Sequence, residues 1–337
     1  TMAIVVDAMG GVIESVEDMF DGVTDLIDEQ MKAFYDYEKE LIRVRKFYQG
    51  STKEVAYYAE ESKRLGETFA FSGAEALKAS AQMAQMKTVL GESAAVIAGA
   101  EMGLLFAEIG GMDTQMAMKR LTSLMQQTGF ALGGMTTEAY RNLTAEQQAN
   151  VVRNNTIRVL DQLNTIENSS VATMEEMTFV LNQFASQATL SGETMGDMAS
   201  LAALLLEAGE EATRAGTGLR MIYSRLAVQG GQASEALAAA IPELDAQTIA
   251  TMNLTDVITA LAPHYENMTN LERIRLTQAV AGNRHYVKLQ KLIVNHNRLM
   301  ELQGMAYTGQ FTALDEFANR QESALYQYDR AQAVLEN

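Results

Sequence analysis

The sequence predicts an all-α fold, and three features of its composition support that prediction. Hydrophobic residues make up 47% of the 337 residues, and good helix formers such as Ala, Leu, Met, Glu and Gln recur along the whole chain. Only 2 residues are proline, which would break a helix interior. Aromatic residues amount to 7%, and no stretch alternates β-branched and polar residues between turn signals as a strand would. We therefore expect a multi-helix core domain of short packed helices, flanked by long helices that form coiled coils.

The charge of the chain restricts its partners. The formal net charge is -17, and the carboxylates are concentrated near the N-terminus, where ten of them between Asp7 and Glu38 accompany a single cation, Lys32. Proteins that bind nucleic acid need clustered Lys and Arg to release counterions from the phosphates. We expect no sequence-specific nucleic-acid partner, and we interpret the mildly basic stretch from Arg273 to Arg298 as a solvated helix face.

The first fifty residues keep a seven-residue register. The a positions of this register are Val6, Ile13, Phe20, Ile27, Phe34, Leu41 and Tyr48. The d positions are Met9, Val16, Val23, Gln30, Tyr37 and Val44. A narrow apolar seam with acidic flanks is typical of a coiled coil, and the aromatic layers favour a bundle wider than two strands, hence a homo-oligomer that is a trimer or larger. The alternative is one long amphipathic helix docked on its own domain.

After residue 50 the pattern changes to shorter helices. The predicted helices run over residues 52–65, 73–90, 93–109, 113–128, 144–166, 173–188, 192–208, 213–228, 232–240, 254–262 and 269–303. Thr144 with Gln147, and Thr173 with Glu176, have the spacing of a capping box, and Ser191 is expected to cap the helix that Gly209 ends. Pro242 and Pro263 are expected to lie between helices.

A second, weaker apolar seam runs from Phe311 to Leu335, so the sequence divides into three segments. Residues 1–50 form an acidic coiled-coil helix, residues 51–305 a helical core domain, and residues 306–337 a C-terminal helix that leads into further coiled coil. Residues 129–156 look like an insertion in the core.

Residues able to carry chemistry are sparse. The chain has no cysteine, and its 3 histidines lack the spacing of a metal or di-iron site. Phosphate-binding glycine loops and nucleophile motifs are also missing. The apolar runs Ala94–Ile109 and Met198–Ala208 are too short and too charged for a membrane span. We expect no enzyme activity, no cofactor and no metal.

Four blocks of the sequence carry a resemblance to a known family. The first is Thr68–Ser72 with Glu75 and Ala76, the second Val159–Asn164 with Ser169, Ser170 and the helix Thr173–Ala188, and the last Ala279–Arg284. The most specific block begins at Leu201 and reads LAALLLEAGEEATRAGTGLRMIYSRLA. In content and order these blocks resemble the core of bacteriophage tail tape measure proteins.

The residues that match this family are expected to be packing devices. They are Gly209, Gly216, Thr217, Leu219, Arg220, Leu226 and Gly282. Gly209 permits a left-handed helix stop, Thr217 is expected to cap the next helix, and Leu219, Ile222, Tyr223 and Leu226 are expected to form its buried stripe. Arg220 either binds a carboxylate or a helix end, or is solvated.

The resemblance implies a structural protein of the virion that occupies the lumen of the tail tube. Such a protein sets tail length during assembly in the host cytoplasm and leaves ahead of the DNA at infection. The implied partners are other copies of the chain, the tail tube protein, baseplate hub proteins and tail assembly chaperones. The competing hypotheses are a membrane-acting pore-forming protein, an intracellular adaptor that binds helices through Met-rich grooves, and, more distantly, an enzyme.

Self-association is the first testable prediction, because the heptads bury their seam only against other helices. We expect the purified chain to sediment as a homo-oligomer. A chain that stays monomeric at every concentration would favour the adaptor.

Overall fold

A computed structural model describes residues 31–32, 34–46, 52–228, 231–309 and 312–336. The chain is 82% helical, and the described residues contain no strand, which confirms the predicted fold class. The described helices are, in chain order, α1 (34–46), α2 (Thr52–Phe69), α3 (Gly73–Met83), α4 (Lys87–Leu90), α5 (Ser93–Ile109), α6 (Thr114–Thr128), α7 (Thr137–Arg141), α8 (Ala145–Ser169), α9 (Met174–Leu190), α10 (Met195–Glu207), α11 (Ala212–Leu226), α12 (Gln232–Ala240), α13 (Ala246–Ile249), α14 (Leu254–Glu266), α15 (Asn270–Ala281), α16 (Tyr286–Val294), α17 (His296–Thr308), α18 (Ala313–Gln321) and α19 (Ala324–Glu336). Short 3-10 turns occupy Ala84–Met86 and Phe130–Leu132.

The helices form two compact units. Unit 1 comprises Thr1–Gln85 and Ala324–Asn337, and unit 2 comprises Met86–Ser323. The sequence-based division placed its boundaries after residues 50 and 305, whereas the contacts group α19 with α2.

Unit 1 is built on α2, which packs against α3 and α19. Tyr58 and Leu65 of α2 and Leu77 of α3 are fully buried. The Tyr326 hydroxyl of α19 donates to the Thr68 carbonyl at the end of α2. The last described helix, α19, is therefore bound to the end of α2 within this unit.

The described part of the N-terminal seam contacts unit 1 itself. Val44 is buried and Tyr37 is half-buried, and the Tyr37 hydroxyl donates to the Ala59 carbonyl of α2 at 3.3 Å. Phe34, by contrast, is 57% exposed. Val6 to Gln30, and Tyr48, lie outside the described residues. The self-association of the seam stays a prediction.

Unit 2 has two helices at its centre that are apolar on nearly every side. Most residues of α5 and α10 are buried, including Leu104, Phe106, Leu201 and Leu205. α5 packs against α6, α8 and α18, and α10 packs against α8, α9, α11, α16 and α17. These helices contain the two apolar runs of the sequence, and their neighbours explain why almost no face remains polar. Across the described helices, none combines the length and the apolar character that a bilayer span requires.

The insertion predicted at residues 129–156 packs against the start of α5. It contains a 3-10 turn, α7 and the start of α8, and it places Tyr140 in the core, where its hydroxyl donates to the Leu90 carbonyl at 2.8 Å. The Gln148 amide donates to the Tyr140 carbonyl at 3.2 Å and accepts from the Glu92 backbone N–H at 3.0 Å. The segment is thus an ordered part of unit 2.

Capping boxes define several helix starts. Thr144 with Gln147 and Thr173 with Glu176 form the reciprocal hydrogen bonds that their spacing predicted. Ser191 was predicted to cap α10, and this was wrong: α10 begins at Met195 with a capping box of Thr194 and Asp197, and Ser191 ends α9. Thr194 has the advantage of a carboxylate three residues later, which binds its backbone N–H.

Two predictions about the C-terminal half were also wrong. Residues 269–303 form three helices rather than one, because Gly282 has a φ of 76° and Asn295 separates α16 from α17. Pro263 lies inside α14 rather than between helices. Its ring has no N–H to donate to the Thr259 carbonyl four residues earlier, and α14 ends three residues later, at Glu266.

The C-terminal segment is not continuous either. α17 extends to Thr308, Gly309 adopts a φ of 59°, and two short helices follow. Of the weaker seam, Leu314, Leu325 and Tyr328 are exposed, while Phe311 lies outside the described residues.

The Thr173 cap offers a test of helix-start energetics. We expect Thr173→Ala to lower the free energy of unfolding by about 1 kcal/mol, because the N–H of Glu176 loses its acceptor. Urea denaturation measures the change. Thr173→Ser keeps the hydroxyl and should stay close to the parent, so equal losses in both variants would contradict the capping role.

Candidate functional site

The turn between α10 and α11 reverses the chain at Gly209. The φ of Gly209 is 78°, its N–H donates to the Leu206 carbonyl at 2.9 Å, and the Glu210 N–H donates to the Leu205 carbonyl at 3.0 Å. These bonds satisfy carbonyls that a helix end leaves free. The left-handed helix stop predicted at Gly209 is confirmed.

Two lysines of α16 hold this turn. Glu210 lies 2.5 Å from the Lys291 Nζ and 3.3 Å from the Lys288 Nζ, and the Lys291 ammonium also donates to the Ala208 carbonyl at 2.9 Å. Burial opposes the charged form of Glu210, but the hydrogen bond from Lys291 and the charge of Lys288 lower its pKa below the ordinary value. The turn therefore keeps a carboxylate that α16 neutralises.

An arginine of α17 links the same turn to α8. The Arg298 guanidinium binds both oxygens of Glu207, at 2.8 and 3.1 Å, and donates to the Ser169 carbonyl at 2.6 Å. The hydrogen bonds with Glu207 raise the pKa of Arg298 above its ordinary value, so the group stays charged. Because Ser169 and Glu207 belong to two of the family-like blocks, one side chain joins both.

The glycines of α11 create space for neighbouring side chains. A Cβ at Gly216 would lie 2.6 Å from the Gln183 Cδ of α9, and a Cβ at Gly218 would overlap the Lys288 side chain. At both glycines the space that a Cβ would fill is occupied by a long side chain of a neighbouring helix. The sequence identified these glycines as family-like residues but did not show that side chains of α9 and α16 pack against them.

The prediction that Thr217 caps α11 was wrong. α11 begins five residues earlier, at Ala212, with Glu211 in the extended N-cap position. Thr217 lies inside the helix, and its hydroxyl donates to the Gln183 Oε1 of α9 at 3.2 Å. The capping assignment failed because the Gly-Thr-Gly sequence looked like a helix start.

The rest of the α11 stripe lies as predicted. Leu219, Ile222, Tyr223 and Leu226 are buried, whereas Arg220 is exposed and has no ion-pair partner in the described part of the chain. Tyr223 stacks on Phe184 of α9, with ring centroids 5.6 Å apart.

Arg225 connects α11 to the last of the four blocks. Its Nε and Nη2 donate to the Val280 and Ala279 carbonyls at 3.0 and 3.1 Å, which caps the C-terminus of α15. Gly282 follows directly, and its positive φ turns the chain towards α16. The second, third and fourth blocks, which lie in unit 2, are thereby joined by side-chain bonds.

Sequence reasoning missed a pair of buried carboxylates at the start of α10. Glu193 is 5% exposed and accepts hydrogen bonds from the Tyr223 hydroxyl at 2.8 Å and from the Thr255 N–H and hydroxyl at 2.9 and 3.1 Å. Burial raises the pKa of Glu193 to about 7, although these donors favour the charged form. The only sequence signal was a carboxylate next to a capping box, which is normally solvated.

The second carboxylate, Asp197, extends this network to α17. It accepts from the Gln303 amide at 2.7 Å and from the Tyr307 hydroxyl at 3.0 Å. The network links α10, α11, α14 and α17 through polar side chains. Within the described ranges, no three His, Cys, Asp or Glu side chains converge as metal ligands would.

These contacts define a class of protein: an all-α scaffold whose distinctive residues fix helix junctions. Comparison with known proteins agrees with that class. Residues 59–282 match a family model described as "Phage-related minor tail protein". The chain belongs to this family of phage tail proteins. Neither the curated proteins nor the solved structures contain a match.

The reversal at Gly209 can be tested by substitution. We expect Gly209→Ala to lower the free energy of unfolding by about 1–2 kcal/mol, because a Cβ is strained at positive φ even though no atom lies within 4 Å of it. Urea denaturation provides the measurement. Gly304→Ala is a matched control, since Gly304 lies in α17 with open space around it, and it should raise stability by up to about 1 kcal/mol. If both substitutions changed the free energy of unfolding in the same direction, the assignment of Gly209 as a left-handed helix stop would be wrong.

The pH dependence of stability tests the Glu193 environment. Because the folded chain raises this pKa from 4.5 to about 7, the folded state retains a proton that the unfolded state releases. The resulting contribution is fully present below the unfolded pKa and is lost as pH rises through about 7. We expect the free energy of unfolding of the parent chain to fall by on the order of 2 kcal/mol as the Glu193 carboxyl ionises, and we expect Glu193→Gln to remove this fall.

Urea midpoints between pH 5 and pH 8 measure this difference. The control is Glu235→Gln, which changes an exposed carboxylate of α12 and should keep the parent profile. A Glu193→Gln profile parallel to the parent profile would contradict the prediction.

Proposed function

We propose that this chain is the core segment of a phage tail tape measure protein. It acts as a scaffold in the lumen of the tail tube, sets tail length during assembly in the host cytoplasm, and is released ahead of the DNA at infection. The observation that carries the proposal is the family match over residues 59–282 together with the helix junctions that its blocks form. Helix junctions fixed in this way suit a folded segment within a long helical chain.

The physical argument for measuring length is helix geometry. A helix rises 1.5 Å per residue, so the number of residues fixes a distance. The short packed helices of unit 2 contribute little length, so the measuring segment must be extended helix, such as the predicted heptads of residues 6–48. The acidic charge of that segment suits a channel that DNA later traverses, because it repels the phosphates.

The proposed partners follow from the same role. Other copies of the chain would associate through the heptad seam as a trimer or larger bundle. The tail tube protein would surround the assembly, baseplate hub proteins would anchor one end, and tail assembly chaperones would cover the chain before the tube forms.

The structure gives less support to the two rival functions. A pore-forming protein would use the apolar helices α5 and α10, but these helices are enclosed by unit 2. An adaptor would use exposed methionines, but ten of the methionines in the described ranges are buried. They are Met83, Met86, Met102, Met112, Met118, Met125, Met174, Met177, Met195 and Met198.

An in-register duplication tests the proposed role in the phage that carries the gene. Repeating residues 6–47 adds whole heptads, so it keeps the seam intact and lengthens the helix by roughly 60 Å. We expect electron micrographs to show tails longer by a comparable amount. A charge variant of unchanged length, such as Glu17→Gln, should leave tail length unaltered. Normal-length tails from the duplication would exclude a measuring role.

A further inference from the structure

A polar cleft lies beside the junction of α11 and α15. Its volume is about 530 Å³, and its lining is made of two arginines, amide side chains and small residues. The lining residues are Arg225, Gln232, Arg275, Gln278, Ala279, Gly282 and Asn283. A cleft with cations and amide donors but no carboxylate is unusual in a chain whose net charge is -17.

The first arginine of the cleft is held in place by backbone carbonyls. Two nitrogens of Arg225 donate to Val280 and Ala279, which fixes the plane of the guanidinium. Its third nitrogen, Nη1, is the atom closest to the position that a Cβ of Gly282 would take, at 3.6 Å. Gly282 thus leaves the guanidinium open on the side of the cleft.

The second arginine has no strong partner. Arg275 is exposed on α15, and neither arginine forms an ion pair with any described residue. The carboxylate of Glu272, three residues before Arg275 on α15, accepts from the Thr269 N–H and hydroxyl, both at 2.7 Å. These hydrogen bonds, and after them the charge of Arg275, lower the pKa of Glu272. The Arg275 guanidinium is exposed, so a ligand can reach it.

We propose that this cleft binds carboxylate side chains of the acidic segment 7–38 from another copy of the chain. A guanidinium fork matches a carboxylate with two parallel hydrogen bonds, and the amides of Gln232, Gln278 and Asn283 supply further donors. The segment offers ten carboxylates and one cation, so its charge complements the cleft. In a coiled coil those carboxylates lie outside the seam and remain accessible.

This contact is separate from the seam and does not depend on a role in measuring tail length. It would connect unit 2 of one copy to the N-terminal segment of another. DNA phosphate is the competing anion, and the titration below compares the two ligands directly.

The test is a binding titration of the whole chain with a fluorescent synthetic peptide of residues 12–30. We expect saturable binding that weakens with added salt and that Arg275→Glu reduces by at least about tenfold. Arg284→Glu, which makes the same charge change at an exposed arginine outside the lining, should have little effect. A peptide with Asn and Gln in place of Asp and Glu should not bind.

Three outcomes would overturn the proposal. The first is that the peptide does not bind. The second is that Arg275→Glu leaves peptide binding unchanged, which association through the seam would produce. The third is that a short DNA duplex binds more tightly than the peptide and with the same dependence on Arg275. Arg275 is exposed and its side chain makes no hydrogen bond to the described part of the chain, so its variant should stay folded, which circular dichroism checks.

Discussion

The reversal between α10 and α11 concentrates charge where the chain turns back on itself. Gly209 supplies the backbone geometry, but Glu207 and Glu210 flank it, and two carboxylates in a half-buried turn would repel each other without counter-charges. Arg298 and the lysines of α16 provide those counter-charges from parts of the chain about eighty to ninety residues away. This cluster therefore ties α16 and α17 to the end of α10.

The three family-like blocks of unit 2 meet at side-chain junctions. They contribute a serine carbonyl from α8, the turn after α10, and the carbonyls that end α15. Two glycines of the blocks, Gly209 and Gly282, adopt a positive φ, and two others, Gly216 and Gly218, leave space that side chains of neighbouring helices occupy. In this phage tail protein the core is therefore a set of helix junctions fixed by side-chain bonds.

The buried polar groups of the core select one arrangement of the helices. Glu193 and Asp197 are buried at the start of α10. Glu193 accepts hydroxyl and backbone donors from α11 and α14, and Asp197 accepts amide and hydroxyl donors from α17. Such groups destabilise a core unless their donors are all in place, so they favour one packing of the helices over others. The elevated pKa of Glu193 ties that packing to pH in the neutral range.

The sequence by itself determined the helical class, most helix positions, the capping boxes at Thr144 and Thr173 and the stop at Gly209, because these depend on residues three to five positions apart. It also predicted the buried stripe of α11 from its periodicity. Only the tertiary structure decided that Thr217 contacts α9, that Gly282 and Asn295 divide a long helical pattern, and that Glu193 is buried. Those outcomes depend on side chains contributed by distant helices, and local spacing carries no information about which helix will supply the partner.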